Sequence, residues 1–227
     1  MRFAVLFVLV LILAACDNMP GRPGPPEGAA RPEQVRDFGV LYQQNCAGCH
    51  GAEGKGGASI ALKNSVYLAI ADDAVLRTVT SDGVPGTQMP AFAQNKGGTL
   101  TGEQIGILVA GIRVWAGSGT PGDGLPQYAA QTAGDPVRGA GVYEVFCSSC
   151  HGAGGRGGKG GSAIANATYL SLVSDQYLRT VIISGRPELG APDYRGNVPG
   201  KPMSAQEISD VAAWLASQRP QSQAVKR

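Results

Sequence analysis

Most of this chain is written twice, and that restricts its fold more than any other feature. Tyr42-Gln-Gln-Asn-Cys-Ala-Gly-Cys-His-Gly51 matches Tyr143-Glu-Val-Phe-Cys-Ser-Ser-Cys-His-Gly152. Leu76-Arg-Thr-Val79 matches Leu178-Arg-Thr-Val181, and Thr101-Gly-Glu-Gln-Ile105 matches Ser204-Ala-Gln-Glu-Ile208. The offset grows only from 101 (Cys46 to Cys147) to 103 (Thr101 to Ser204). A period this long, with so little slippage, predicts two copies of one domain. The expected organisation is module one at 33–117, a Gly- and Pro-rich linker at 118–134, module two at 135–219 and a short tail at 220–227.

Each module reads as about three helices, and the expected class is all-α. The first helix runs into Cys-x-x-Cys-His; in module two it opens with Asp135 as N-cap and Pro136 in the first turn. The second starts at Asp72 or Asp73 in module one and at Ser174 in module two, and is expected to bury Leu76 and Val79, or Leu178 and Val181. The third carries a capping box in both copies, Thr101 with Gln104 and Ser204 with Glu207. Behind the boxes, Ile105, Leu108, Val109 and Ile112, and Ile208, Val211, Ala212 and Leu215, recur at helical spacing. No alternating run of strand length is present. The 34 glycines favour tight turns and close backbone contacts over long regular elements. Long Gly-rich stretches between helices are out of place in an ordinary small domain. They make sense where the chain wraps a large bound group that replaces part of the core.

The cysteines and histidines indicate which group. Of five Cys and two His, four Cys and both His fall into the two Cys-x-x-Cys-His motifs: Cys46, Cys49, His50 and Cys147, Cys150, His151. This pattern reads as a site of covalent haem attachment. The two thiols add to neighbouring vinyl groups of the porphyrin, and the adjacent His comes under the iron. Structural zinc needs four ligands at a closed site, and motifs 101 residues apart do not have zinc-ribbon spacing. A dithiol redox centre calls for a strand–helix context that the pattern lacks. The runs Gly51–Gly57 and Gly152–Gly161 lack the Lys before Ser or Thr of a phosphate loop; their expected role is to take positive φ and let backbone approach the porphyrin closely.

The motif, the Gly-rich loop after it, a downstream Met89-Pro90 and the capped last helix together resemble class I cytochrome c domains, arranged in tandem as in dihaem cytochromes c. The resemblance spans about residue 33 to 219. It implies two covalently bound haem c groups, with His50 and His151 as proximal iron ligands, each opposed by a distal Met sulfur. With both His so used, none remains for the distal side. Met89, in Gly86-Thr-Gln-Met-Pro-Ala-Phe92, is the expected distal ligand of the first iron, a His/Met pairing that raises the potential; the alternative is an ordinary core Met. Module two departs from the pattern. Alignment from Leu178 puts Ala191 where Met89 stands, and Ala cannot bind iron. Met203 aligns with Leu100, just before the N-cap of the last helix, where a hydrophobic staple to Ile208 accounts for it. The sixth position of the second iron is left open between Met203, Lys201, water and no ligand.

Before the repeats, Phe3–Ala15 is an almost unbroken apolar run ending at Cys16. It is shorter than the about 20 residues a membrane-spanning helix needs and fits the apolar region of a signal peptide. Leu13-Ala14-Ala15-Cys16 resembles the bacterial lipoprotein box, which implies cleavage before Cys16 and lipidation of its sulfur. Residues 1–15 are then the signal peptide and 16–32 the lipidated Cys with a Pro/Gly tether, extended by up to about 3.1 Å per residue. The net charge of +2 gives no reason to expect nucleic acid. The expected function is electron transfer by a lipid-anchored dihaem protein in the bacterial periplasm or on the outer side of the cytoplasmic membrane. Its partners would be redox proteins, membrane respiratory complexes among them. The alternative is a peroxidase-like haem enzyme or small-ligand binder using an open second iron, with Glu188, Asp193 and Arg195 standing in for a distal His.

Overall fold

The structure, a computed structural model, describes residues 30–117 and 124–220. The signal segment, Cys16 and nearly all of the tether lie outside the described residues, as do the middle of the linker and the end of the tail. The chain divides after Gln34. On the N-terminal side the described residues form one 3-10 turn, Pro32–Gln34.

On the other side, ten α-helices are present among the described residues: α1 (Phe38–Asn45), α2 (Ala47–His50), α3 (Ser65–Ile70), α4 (Asp73–Asp82), α5 (Gly102–Val114), α6 (Pro136–Phe146), α7 (Ser148–His151), α8 (Ala167–Leu172), α9 (Asp175–Ser184) and α10 (Ala205–Ser217). No strand occurs among the described residues, only isolated bridges at Ala93/Leu100 and Arg186/Ala191. The all-α expectation holds. Asp72, Asp135 and Ser174 cap α4, α6 and α9, and both capping boxes form.

The helices differ from expectation in two ways. The first helix of each module breaks at the leading Cys of the motif and restarts as a separate turn, α2 or α7. A further short helix, α3 or α8, follows the Gly-rich loop, capped by Asn64 or Asn166. At six residues it is too short to show a period. Burial also shifts. Leu76 and Leu178 are in the core as expected, but Val79 and Val181 are only half-buried. Val181 packs instead against the edge of module one's core.

First and last helices cross in each module, α1 on α5 and α6 on α10. In module one Gly111 of α5 lies under Phe38 of α1, where an added Cβ would come within 2.1 Å of the ring. In module two the partners are exchanged. Gly139, aligned with Phe38, lies on the α10 backbone with an added Cβ 2.1 Å from the Asp210 carbonyl oxygen and 2.8 Å from Cβ of Trp214, which aligns with Gly111. Large and small residues trade sides, the kind of compensating exchange a close-packed interface tolerates.

Arginines close the short helices. Arg113 donates to the carbonyls of Leu68 and Ala71 and to Asp73; Arg219 donates to those of Leu170 and Val173 and to Asp175. The modules also touch. Helix α9 packs on α3, Val66 belongs to module two's core, and Asn64 Nδ2 donates to the Ser184 carbonyl at 3.0 Å. Beyond 123 the linker is held: the carbonyls of Gln127 and Tyr128 accept from Arg179 at 2.9 and 3.1 Å.

Candidate functional site

In each module the break at the leading Cys sets both Cys and the His on a single turn. Cys46 is buried and Cys147 half-buried, Cys49 and Cys150 are exposed, and none of the four is in a disulfide. His50 Nδ1 lies 2.8 Å from the Ile60 carbonyl oxygen, and His151 Nδ1 lies 2.8 Å from that of Ser162. A carbonyl only accepts, so Nδ1 carries the hydrogen in both rings and the Nε2 lone pair is left for a metal. Paired thiols beside an imidazole fixed in this tautomer fit covalent haem.

The Gly-rich loop takes positive φ as expected, at Gly51 and Gly152 among others. Its close approach is to the motif itself. A Cβ on Gly57 would fall 2.2 Å from the Cys49 carbonyl oxygen, and one on Gly158 would fall 2.6 Å from that of Cys150. The loop thus folds back over the attachment turn and carries the His-binding carbonyl with it. Tyr42 and Tyr143 pin its start by donating to the carbonyls of Gly51 and Gly152 at 2.8 and 2.6 Å.

The other readings of the motif fare poorly. Burial, then the neighbouring Cys49, pushes the Cys46 thiol up to about 11; burial, then Cys150, pushes Cys147 up to about 12. A dithiol redox centre lowers its leading thiol instead. Among the described residues, no three His, Cys, Asp or Glu side chains converge to hold a metal ion. Burial depresses the basicity of His50, against the hydrogen bond from its ring to Ile60.

The two distal hairpins close with the same hydrogen bond. The Val84 N–H donates to the Met89 carbonyl at 3.0 Å, and the Arg186 N–H donates to that of Ala191 at 2.9 Å. Met89 and Ala191 therefore hold equivalent places. Likewise Leu100 N–H donates to the Phe92 carbonyl and Met203 N–H to that of Tyr194. Met203 and Leu100 are both buried, each in one cluster with the staple partner, Ile208 or Ile105. Asn197 Nδ2 is 4.0 Å from the Met203 sulfur, and the Lys201 ammonium lies over the Phe146 ring, 5.0 Å from its centre. Glu188 pairs with Arg186, and Asp193 with Arg195. Arg186 was not singled out by its local sequence. Its signal is visible only against the repeat, where Val84 occupies the same position.

Two all-helical modules, each with a turn that presents paired thiols and an imidazole with a free Nε2, define tandem domains of the c-type haem class. Two family models agree: one described as cytochrome c oxidase, cbb3-type, subunit III matches residues 33–110, and one described as cytochrome c matches residues 136–219. The chain is 36% identical over 91 residues to cytochrome c55X of Paracoccus denitrificans (strain Pd 1222), covering 40% of this chain and 77% of that protein. It is 32% identical over 122 residues to the Cbb3-type cytochrome c oxidase subunit CcoP of Azospirillum sp. (strain B510), which is 49% of this chain but only 37% of that subunit's length. Among solved structures, the Kuenenia stuttgartiensis reducing HAO-like protein complex Kustc0457/Kustc0458 is similar with a TM-score of 0.48 and 16% identity, over 87% of this chain and 100% of that one. This chain belongs to the cytochrome c family, and it carries two covalently bound haem c groups, one on Cys46 and Cys49 and one on Cys147 and Cys150.

Proposed function

We propose that this protein is a lipid-anchored dihaem electron carrier, working in the bacterial periplasm or on the outer side of the cytoplasmic membrane. The observation that carries the reading is the same attachment turn, with the same Nδ1-to-carbonyl bond, occurring twice in a chain whose modules touch. Each haem, when bound, supplies a one-electron ferric/ferrous couple. His50 and His151 are the proximal ligands, oriented by Ile60 and Ser162. Met89, on the hairpin between α4 and α5, is the distal ligand of the first iron and favours its reduced form. The haem domains are 33–117 and 135–219, and Cys16 bears the lipid. A redox carrier needs no acid–base cluster, and the charged groups of module two's hairpin are taken up in ion pairs, Glu188 with Arg186 and Asp193 with Arg195. The likeness of module one to a cbb3 oxidase subunit supports membrane respiratory complexes as partners.

A second reading is favoured by one observation: Ala191 stands where Met89 stands, while Met203 is packed as the staple of α10. On that reading the second haem takes a small exogenous ligand. Carbon monoxide binding to the full-length, detergent-solubilised, dithionite-reduced protein, with haem counted by the pyridine method, separates the two. Two haems with no carbon monoxide uptake support a carrier with both irons closed. Two haems with uptake at one support the ligand-binding role. Fewer than two haems per chain overturns both.

A further inference from the structure

We infer that Arg186, a residue of module two, raises the reduction potential of the haem attached to module one. The inference rests on the two-haem reading above. Arg186 opens the hairpin that returns at Ala191, and its side chain is only 10% exposed. That side chain leaves its own module: Nη2 donates to the Gly57 carbonyl at 2.8 Å. Gly57 lies in the loop folded over Cys49, three residues before Ile60, whose carbonyl fixes the His50 ring.

A cation held in a low-dielectric site acts strongly on charge changes beside it. Reduction removes one positive charge from the iron, so a fixed guanidinium bonded to the loop that holds the proximal His favours the reduced form. The ion pair is oriented for this. Its positive end reaches module one, and its negative end, Glu188, sits in module two's own 3-10 turn, Pro187–Leu189. The relation is one-way, since the equivalent of Arg186 in module one is Val84, which carries no charge. Arg186 is thus a positioning and tuning residue: the second module adjusts the redox level of the first.

The test is spectroelectrochemical titration of the full-length solubilised protein and of four variants, with haem counted in each. The module-one wave is the one displaced by Met89→His. Arg186→Gln is expected to shift that wave toward the oxidised form by about tenfold in the one-electron equilibrium, about 59 mV. Arg186→Lys, which keeps the charge, should retain most of the wild-type potential. Glu188→Gln, which leaves the guanidinium unopposed, should shift the wave the other way. A residue that merely straps the modules together would not give opposite signs. Shifts of one sign for Arg186→Gln and Glu188→Gln, no shift in either, or equal loss in Arg186→Lys and Arg186→Gln would overturn the inference. Fewer than two haems in the wild-type protein would instead overturn the two-haem reading, and the inference with it.

Discussion

Gly139→Ala is expected to destabilise module two although Gly→Ala within a helix ordinarily stabilises. Alanine is favoured over glycine in a helix by about 1 kcal/mol. Gly141, two residues on in α6 and exposed, has nothing within 4 Å of an added Cβ, and Gly141→Ala should realise that gain. At Gly139 the same methyl would meet the Asp210 carbonyl oxygen at 2.1 Å and its carbon at 2.6 Å, against an ordinary contact of 3.4 Å or more. The atoms it meets are backbone, so no rotamer change relieves the clash; α6 and α10 have to separate. Overpacking of this kind costs about 1–3 kcal/mol, which outweighs the propensity gain. In a domain of this size each kcal/mol moves the melting temperature by about 4–8 °C. Thermal unfolding of the full-length protein followed by far-ultraviolet circular dichroism should show Gly139→Ala melting several degrees below wild type and Gly141→Ala slightly above it. If both variants melt above wild type, the crossing is not backbone-limited and the argument from the Phe38/Gly111 and Gly139/Trp214 exchange fails.

Three further outcomes are expected. Ala191→Met puts a sulfur-bearing side chain on the backbone position that Met89 holds, and should abolish whatever carbon monoxide uptake the second haem shows; undiminished uptake at that haem would break the equivalence of the hairpins. Asp210→Asn tests a carboxyl held down to about 2, first by the side-chain hydrogen bond from Arg138. A depressed carboxyl adds stability that is present above its unfolded value of 3.8 and is lost as pH falls through about 2. Asp210→Asn should therefore melt lower than wild type at neutral pH, with the gap closing between about pH 4 and pH 2; a gap independent of pH would count against the pairing. Asn64→Ala removes both the N-cap of α3 and the donor to Ser184, at about 1 kcal/mol for the cap and about 1–3 kcal/mol for the buried carbonyl left without its partner. Faster hydrogen exchange at the Tyr67 amide, which the Asn64 side chain now holds at 3.0 Å, would register it, and unchanged exchange would argue that α3 is held by packing alone.

The parts legible in the sequence were those in which side-chain identity carries the chemistry over a short window. A capping box needs only a Ser or Thr and a Gln or Glu three residues on, so Thr101/Gln104 and Ser204/Glu207 could be read directly and both formed. The attachment motif is legible for the same reason. The orientation of His50 and His151 was not, because the partner is a backbone carbonyl that any residue can bring. Ile60 and Ser162 share no side-chain chemistry and lie 10 and 11 residues from their His. Only the glycines that let the loop double back over the motif hinted at it.

Aligning the repeats reveals some features and hides others. It put Ala191 opposite Met89, and the hairpin hydrogen bonds supply the physical reason. It would also have exposed the exchange of Phe38/Gly111 for Gly139/Trp214, but an exchange of large for small carries meaning only once α1 is known to face α5. Arg113 and Arg219 show the opposite case. They close α3 and α8 by the same three-point contact, yet they are 106 positions apart in a repeat whose local offset is 103. One comes from the last turn of its helix and the other from beyond the helix end. A long, flexible side chain can reach the same carbonyls from non-equivalent Cα positions, so function is conserved between the copies where register is not. Arg186 is the converse again, a charge present in one copy alone, and an alignment by itself would pass it over as divergence. What marks it is the destination of its side chain, the loop that holds the other module's histidine. Two copies of one domain, once in contact, are no longer required to be alike at the surface they share.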